Sequence, residues 1–261
     1  MSDRQVEFRG LGFAPQPVRY AALAAFAALL SVWEYAGRAG LVSPIFLPPP
    51  STVAKALADL WAQGLLLRHL SESAYRLVFG WGLGTFLGLA AGFAMGIWSV
   101  SRAIGVPFVS ALFPIPKISL LPLLILWLGI GEASKVATIA LGVFFPTVIA
   151  TYAAIDAVPR NLIRMGQSFG LPTSDVLRKI VLPGALPGIL AGFRISSSIA
   201  LILLVSAEMI GAQYGIGAFV LQAGNLMLTD QLLAGVVILS ILGLAIGTAL
   251  GQIEKRLLRW R

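Results

Sequence analysis

The sequence predicts an all-α integral membrane protein with six transmembrane helices, and three observations carry that prediction. Hydrophobic residues make up 58% of the 261 positions and charged residues only 11%, where a soluble domain carries about 25% charged residues. Mean hydropathy is +0.89. Apolar runs near the roughly 20 residues that a membrane-crossing helix needs recur along the chain, with basic residues gathered at their ends. The net charge of +8 and the pI near 10.3 therefore read as membrane topology. No basic patch interleaved with stacking aromatics is present, which argues against nucleic acid as a partner. The chain has no cysteine and a single histidine, His69. That removes thiol chemistry and a His-cluster metal site.

Residues 1–18 are polar and include Arg4 and Arg9. They read as a cytoplasmic N-terminal arm, because no small-residue cleavage site follows the next apolar run. Residues 19–261 read as a single transmembrane domain. The first span runs from Tyr20 to about Gly37, with Trp33 and Tyr35 placed for an interfacial belt. The segment 41–70 differs, because its proline cluster cannot form regular helix. Ser51 reads as the N-cap of a short amphipathic helix to about Ala62, lying on the outer membrane surface.

Leu77–Trp98 is an uncharged second span. Gly80, Gly84, Gly88, Gly92 and Gly96 recur every four residues and so share one helix face, a small-residue ribbon suited to close helix packing. Gly243, Gly247 and Gly251 are expected to repeat the device in the last span. Between residues 99 and 131 the apolar signal is punctured by Pro107, Pro114, Pro116 and Pro122. A helix near 101–113, a break, and a shorter span from about Ile118 to Leu128 follow from the missing proline amides. Irregular backbone at membrane depth is tolerated only within protein or beside a water-filled cavity, so this break is a candidate pathway wall. Further spans cover Val136–Ile155, Ile189–Ile210 and Leu232–Ile253, with Pro146 as a kink.

With both termini inside, the inner segments hold Arg4, Arg9, Arg19, Arg102, Arg160, Arg164, Arg178, Lys179, Lys255, Arg256, Arg259 and Arg261. The outer ones hold Arg38, Lys55, Arg68, Arg76 and Lys135. Twelve against five fixes the orientation by the positive-inside rule. It also places the charged stretch 157–187 in the cytoplasm. At some thirty residues this stretch far exceeds the roughly 2–8 that join two helices, so it reads as a docking loop for a separate protein. Two short helices, about Arg160–Phe169 and Thr173–Val181, are expected to meet at Gly170-Leu171-Pro172. There glycine permits a left-handed helix end and proline can open the next helix.

Gly170 is followed ten residues later by Ile180, then Val181, Leu182 and Pro183. This spacing resembles the end of the EAA loop of ABC importer permeases. LFPIPKISLLPLLILWLGIGEASK (112–135), LPGALPGILAGFRI (182–195) and AEMIGA (207–212) are likewise similar to the permeases for nitrate, sulfonate, taurine and bicarbonate. The resemblance runs from about Leu47 to the C-terminus, with several motifs in order. One departure stands out: Arg164-Met165-Gly166 replaces the usual Glu-Ala-Ala.

The resemblance implies a type I ABC importer permease fold with cytoplasmic coupling helices. It implies a dimer of ABC ATPase subunits as partner, a second permease copy, and a periplasmic or lipid-anchored substrate-binding protein. The loop residues it assigns to ATPase coupling are Arg164, Ser168, Phe169, Gly170, Leu171, Pro172, Ile180, Leu182 and Pro183. The chain itself has no G-x-x-x-x-G-K-[ST] phosphate loop and no catalytic triad or carboxylate pair. It is not expected to be an enzyme or to hold a cofactor; ATP and Mg²⁺ belong to the partner.

Ionisable groups inside spans are functional candidates, because burying them is costly. Lys117 and Arg194, with Ser197, are expected to line a pathway for a small anion, and Glu208 to gate it or hold the outer end of its span. The competing reading has Lys117 and Arg194 snorkelling to lipid phosphate. A secondary transporter, or a structural membrane component without an ATPase, is the alternative class. The former calls for internal repeats and midplane ion ligands, and no carboxylate-rich span is found.

Overall fold

The computed structural model describes residues 20–259. The proposed N-terminal arm 1–18, Arg19 and Arg261 lie outside the described residues. Every regular element within them is helical: α1 Ala21–Arg38, α2 Pro50–Ala62, α3 Leu65–Ile97, α4 Ser99–Leu112, a 3₁₀ turn Lys117–Leu120, α5 Leu121–Leu128, α6 Glu132–Asp156, α7 Arg160–Ser168, α8 Thr173–Val176, α9 Leu182–Gly211, α10 Ile216–Asn225 and α11 Thr229–Leu257.

Four helical stretches are long and apolar enough to cross a membrane: α3, α6, Thr173–Gly211 and α11. The α4–α5 pair, bent by 87° at the proline break, supplies a fifth crossing. Packing requires it. Successive ribbon glycines from Gly80 to Gly96 face successive α6 residues from Ile139 to Ile155, so α3 and α6 run parallel. The chain between them must therefore return to the side on which α3 began. α1, with eighteen residues, falls outside this set, so five of the six expected spans are accounted for.

The α3–α6 interface is the centre of the fold, and its cause is visible in the sequence. A Cβ on Gly88 would lie 2.8 Å from the Thr147 Cβ, and one on Gly92 2.5 Å from the Thr151 Cβ. Both threonines turn their hydroxyls back onto their own helix, to the carbonyls of Val143 and Thr147. Their methyl groups are left to pack against bare glycine backbone. The second glycine series does not repeat the device. Gly247 has nothing within 4 Å, and only Gly243 and Gly251 face side chains, of Leu201 and Arg194. The close approach that α11 does make, to Val220 of α10, is at Gly235, outside this series.

Three expected boundaries differ. α3 begins at Leu65, not Leu77, and at 33 residues it is about 50 Å long, so its first turns overrun the hydrocarbon. Ser51 is not the N-cap of α2, because Pro49 holds that position. The Ser51 amide and hydroxyl instead donate to the Glu34 carboxylate, at 3.0 and 2.7 Å, tying α2 to α1. Val53, Ala56 and Leu60 of α2 bury against Ala234 of α11 and Phe219 of α10.

The third difference concerns the end of the charged loop. The helix beginning at Thr173 does not stop at Val181. It passes through a π-helical turn, Leu177–Val181, directly into α9. In that turn the Leu182 amide reaches back five residues to the Leu177 carbonyl. The widened turn precedes Pro183 and lets the helix run on through Pro183 and Pro187, where proline would otherwise force a break.

Candidate functional site

The predicted coupling residues converge on one elbow. α7 ends in a Schellman motif: the Gly170 amide donates to the Gln167 carbonyl at 2.9 Å and the Leu171 amide to the Gly166 carbonyl at 3.1 Å. Gly170 has φ +73, a conformation that L side chains resist. Pro172 then caps α8, its carbonyl accepting from the amides of Asp175 and Val176. Ser168 donates its hydroxyl to the Arg164 carbonyl, and Lys179 pairs with Asp175 at 2.9 Å.

The elbow is mounted rigidly. Val158, Val176, Val181, Ala185 and Ile189 form a buried cluster with Ala154 and Ile155 of α6, and Ile163, Leu171 and Ile180 pack against it. Gly166, part of the departure from Glu-Ala-Ala, is buried because the Ile180 side chain sits directly on it. A Cβ there would lie 2.7 Å from Ile180 Cδ1. Arg164 is exposed. The outer surface of the elbow is mixed: Phe169 is 80% exposed, and Leu162, Met165 and Leu182 also face outward, beside exposed Arg160, Arg164, Arg178 and Lys179. Pro183, also assigned to coupling, opens α9 and so joins the elbow to a span.

The predicted pathway residues are not brought into one cluster. Lys117 follows the break, and its ammonium donates to the carbonyls of Leu112, Phe113 and Ile115 at 2.8, 2.9 and 2.6 Å, 4.6 Å from the centre of the Phe145 ring. It therefore supplies donors for carbonyls at and just beyond the C-terminal end of α4, where intrahelical donors run out. Arg194 pairs with Glu254 of α11 at 2.7 Å. Ser197 is buried and donates to the Arg194 carbonyl, while its neighbour Ser196 accepts from Trp81 Nε1.

Glu208 belongs to a buried ionic cluster at the opposite end of the spans from the elbow. It is 1% exposed, and Arg76 is 2% exposed. Arg76 Nη1 donates to Glu208 Oε1 at 2.8 Å and to the Tyr214 carbonyl at 2.6 Å. Its Nε and Nη2 grip both oxygens of Glu132 at the start of α6. Ser73 donates to Glu208 Oε1, and Glu208 Oε2 accepts from the Gly217 amide. Nearby, His69 Nδ1 lies 2.9 Å from the Gly215 carbonyl oxygen. Sequence reasoning counted Arg76 as an outer surface cation and did not single out Ser73. The one available signal was a lone arginine at the edge of an otherwise uncharged run.

An all-helical bundle with a broken span, a glycine-ribbon core and a rigid elbow on one face is the architecture of a membrane permease. The chain belongs to the family described as binding-protein-dependent transport system inner membrane component, whose model matches residues 84–259. It is 36% identical to the taurine transport system permease protein TauC of Escherichia coli K12, over 90% of this chain and 87% of that protein. It is 34% identical to SsuC of Bacillus subtilis 168, provisionally named an aliphatic sulfonates transport permease, over 90% of this chain and 85% of that one. A chain of the inward-facing MetNI methionine ABC transporter superposes with a TM-score of 0.64 at 22% identity, covering 75% of this chain and 97% of that one. The protein is thus the permease of an ABC importer, a multi-pass inner-membrane component with the type I fold.

Proposed function

We propose that two copies of this chain form the translocation pathway for taurine or a related small organic sulfonate. In this reading both termini are cytoplasmic, a substrate-binding protein delivers the solute at the Arg76–Glu208 end, and a dimer of ABC ATPase subunits docks at the elbow. ATP and Mg²⁺ are bound by that ATPase. The substrate class is supported by the taurine and aliphatic sulfonates for which TauC and SsuC are named. The wall of the pathway near its middle is the broken segment around Lys117, where irregular backbone at membrane depth calls for a cavity or a second subunit.

The observation that carries the reading is the elbow. Its inner face is locked to α6 and α9 through one apolar cluster, while Phe169 projects outward. A partner that grips Phe169 and moves must move α9 with it.

The test is uptake of radiolabelled taurine into proteoliposomes holding this chain, its ATPase and its binding protein. Uptake that requires ATP and the binding protein supports the proposal. Uptake driven by an ion gradient with the ATPase omitted would overturn it.

A further inference from the structure

We propose that α10 is a movable outer gate whose closed position is set by Glu208, with Arg76 and Ser73 as positioning residues that hold Glu208 in place. α10 is a ten-residue helix between the ends of α9 and α11. Gly215 before it has φ 140 and Met227 after it has φ 56. Met227 is a non-glycine residue in the left-handed region, a conformation that persists only where the surroundings impose it. α10 is thus bounded at each end by a residue of positive φ.

The helix has space to move. A cavity of 650 Å³ lies on its α2 side, lined by Asp59, Gln63, His69, Ala223 and Asp230 among others. A second of 330 Å³ lies on its α9 side, lined by Glu208, Met209 and Asn225. The two share Gln213, Gln222 and Leu226, so α10 stands as the partition between them. The first cavity has enough polar lining to hold water.

What holds the partition shut is concentrated at its N-terminus. Glu208 Oε2 accepts from the Gly217 amide at 2.8 Å, and the Ser73 hydroxyl oxygen accepts from the Ile216 amide at 2.9 Å. These are two of the amides that a helix start leaves unpaired, and a carboxylate there is also favoured by the helix dipole. Gly217 makes the contact possible: a Cβ there would lie 2.6 Å from the Val205 carbonyl oxygen. Arg76 and Ser73 both donate to the other carboxylate oxygen, at 2.8 and 2.7 Å, fixing the rotamer that reaches α10.

Glu208 is also the far end of the helix that starts at the elbow. Thr173–Gly211 is one stretch of 39 residues, about 58 Å at 1.5 Å per residue. A rotation of that helix driven at Phe169 would carry Glu208 away from the Gly217 amide and release α10. This last step rests on the importer reading above; the latch itself does not.

The chain has no cysteine, so Ala223→Cys, at a position 2% exposed on α10, places a single thiol where a bulky reagent has little access while α10 is seated. The experiment measures its labelling by a charged, membrane-impermeant maleimide, with Glu208→Gln or Ser73→Ala added. Loss of a charge-assisted buried bond should speed labelling about tenfold for Glu208→Gln, and by less for Ser73→Ala. Ser73→Ala keeps the ion pair, so it serves as the test if Glu208→Gln fails to fold. Labelling within about twofold of the parent in Ser73→Ala and in any folded Glu208→Gln protein would overturn the gate. The same variants are assayed with the ATPase, with and without binding protein. Faster labelling with no change in the stimulation of ATP hydrolysis would leave the latch standing and count against the importer linkage alone.

Discussion

Arg76 and Glu208 lie 132 positions apart in sequence, yet the Nη1 of one is 2.8 Å from the Oε1 of the other, and neither side chain reaches solvent. Through this pair and Glu132, the starts of α6 and α10 and the end of α9 are joined to α3. Removing one partner of a buried pair leaves an uncompensated charge, which costs about 3–5 kcal/mol. Arg76→Met should therefore lower the unfolding free energy of the detergent-solubilised protein by about that amount. Glu132→Gln should cost less, because the Glu132 side chain is 41% exposed and water can replace part of what is lost. Equal losses would show that Glu208 is not the dominant partner.

The glycine ribbon gives a graded test of packing. Gly92→Ala places a methyl 2.5 Å from the Thr151 Cβ, whereas Gly82→Ala meets nothing within 4 Å. Overpacking a tight interface costs about 1–3 kcal/mol. Gly92→Ala should show that loss in a thermal melt, while Gly82→Ala and Gly247→Ala should melt with the parent.

How far the sequence alone reached can be judged from these same residues. The ribbon and the proline break were legible, because a period of four and a missing amide are local signals. So was the Gly170 turn with its left-handed helix end, for the same reason. Arg76 was not, since its partners Glu132, Glu208 and Tyr214 come from three distant segments and leave no spacing to read. Helical continuity through Pro183 and Pro187 was also hidden. Proline reads as a stop, and the π-helical turn before Pro183 has no composition of its own. Ser51 was misread because a serine at the start of a helix signals a cap, while Glu34, seventeen residues earlier, competes for its donors.

Lys117 is expected to act through the break. Its ammonium satisfies three carbonyls at and beyond the end of α4, and the prolines of the break offer no amides to replace it. Lys117→Ala should assemble with its partners but melt lower and transport more slowly. Normal uptake by a fully expressed Lys117→Ala protein would remove this residue from the pathway.

Gly170 carries a conformational prediction. At φ +73 with open space around it, Gly170→Ala suffers backbone strain of about 1–2 kcal/mol and no clash. The spans should stay folded by circular dichroism while ATP hydrolysis becomes less tightly coupled to uptake. Unchanged coupling would place the hinge elsewhere.

Co-purification of the ATPase with a tagged permease carrying Phe169→Asp tests whether the elbow is the docking point for the ATPase. Phe169 is 80% exposed, so the substitution should leave the melting temperature of the permease unchanged. The ATPase should co-purify with the parent and be lost from the variant. Full retention of the ATPase by a folded Phe169→Asp permease would contradict it.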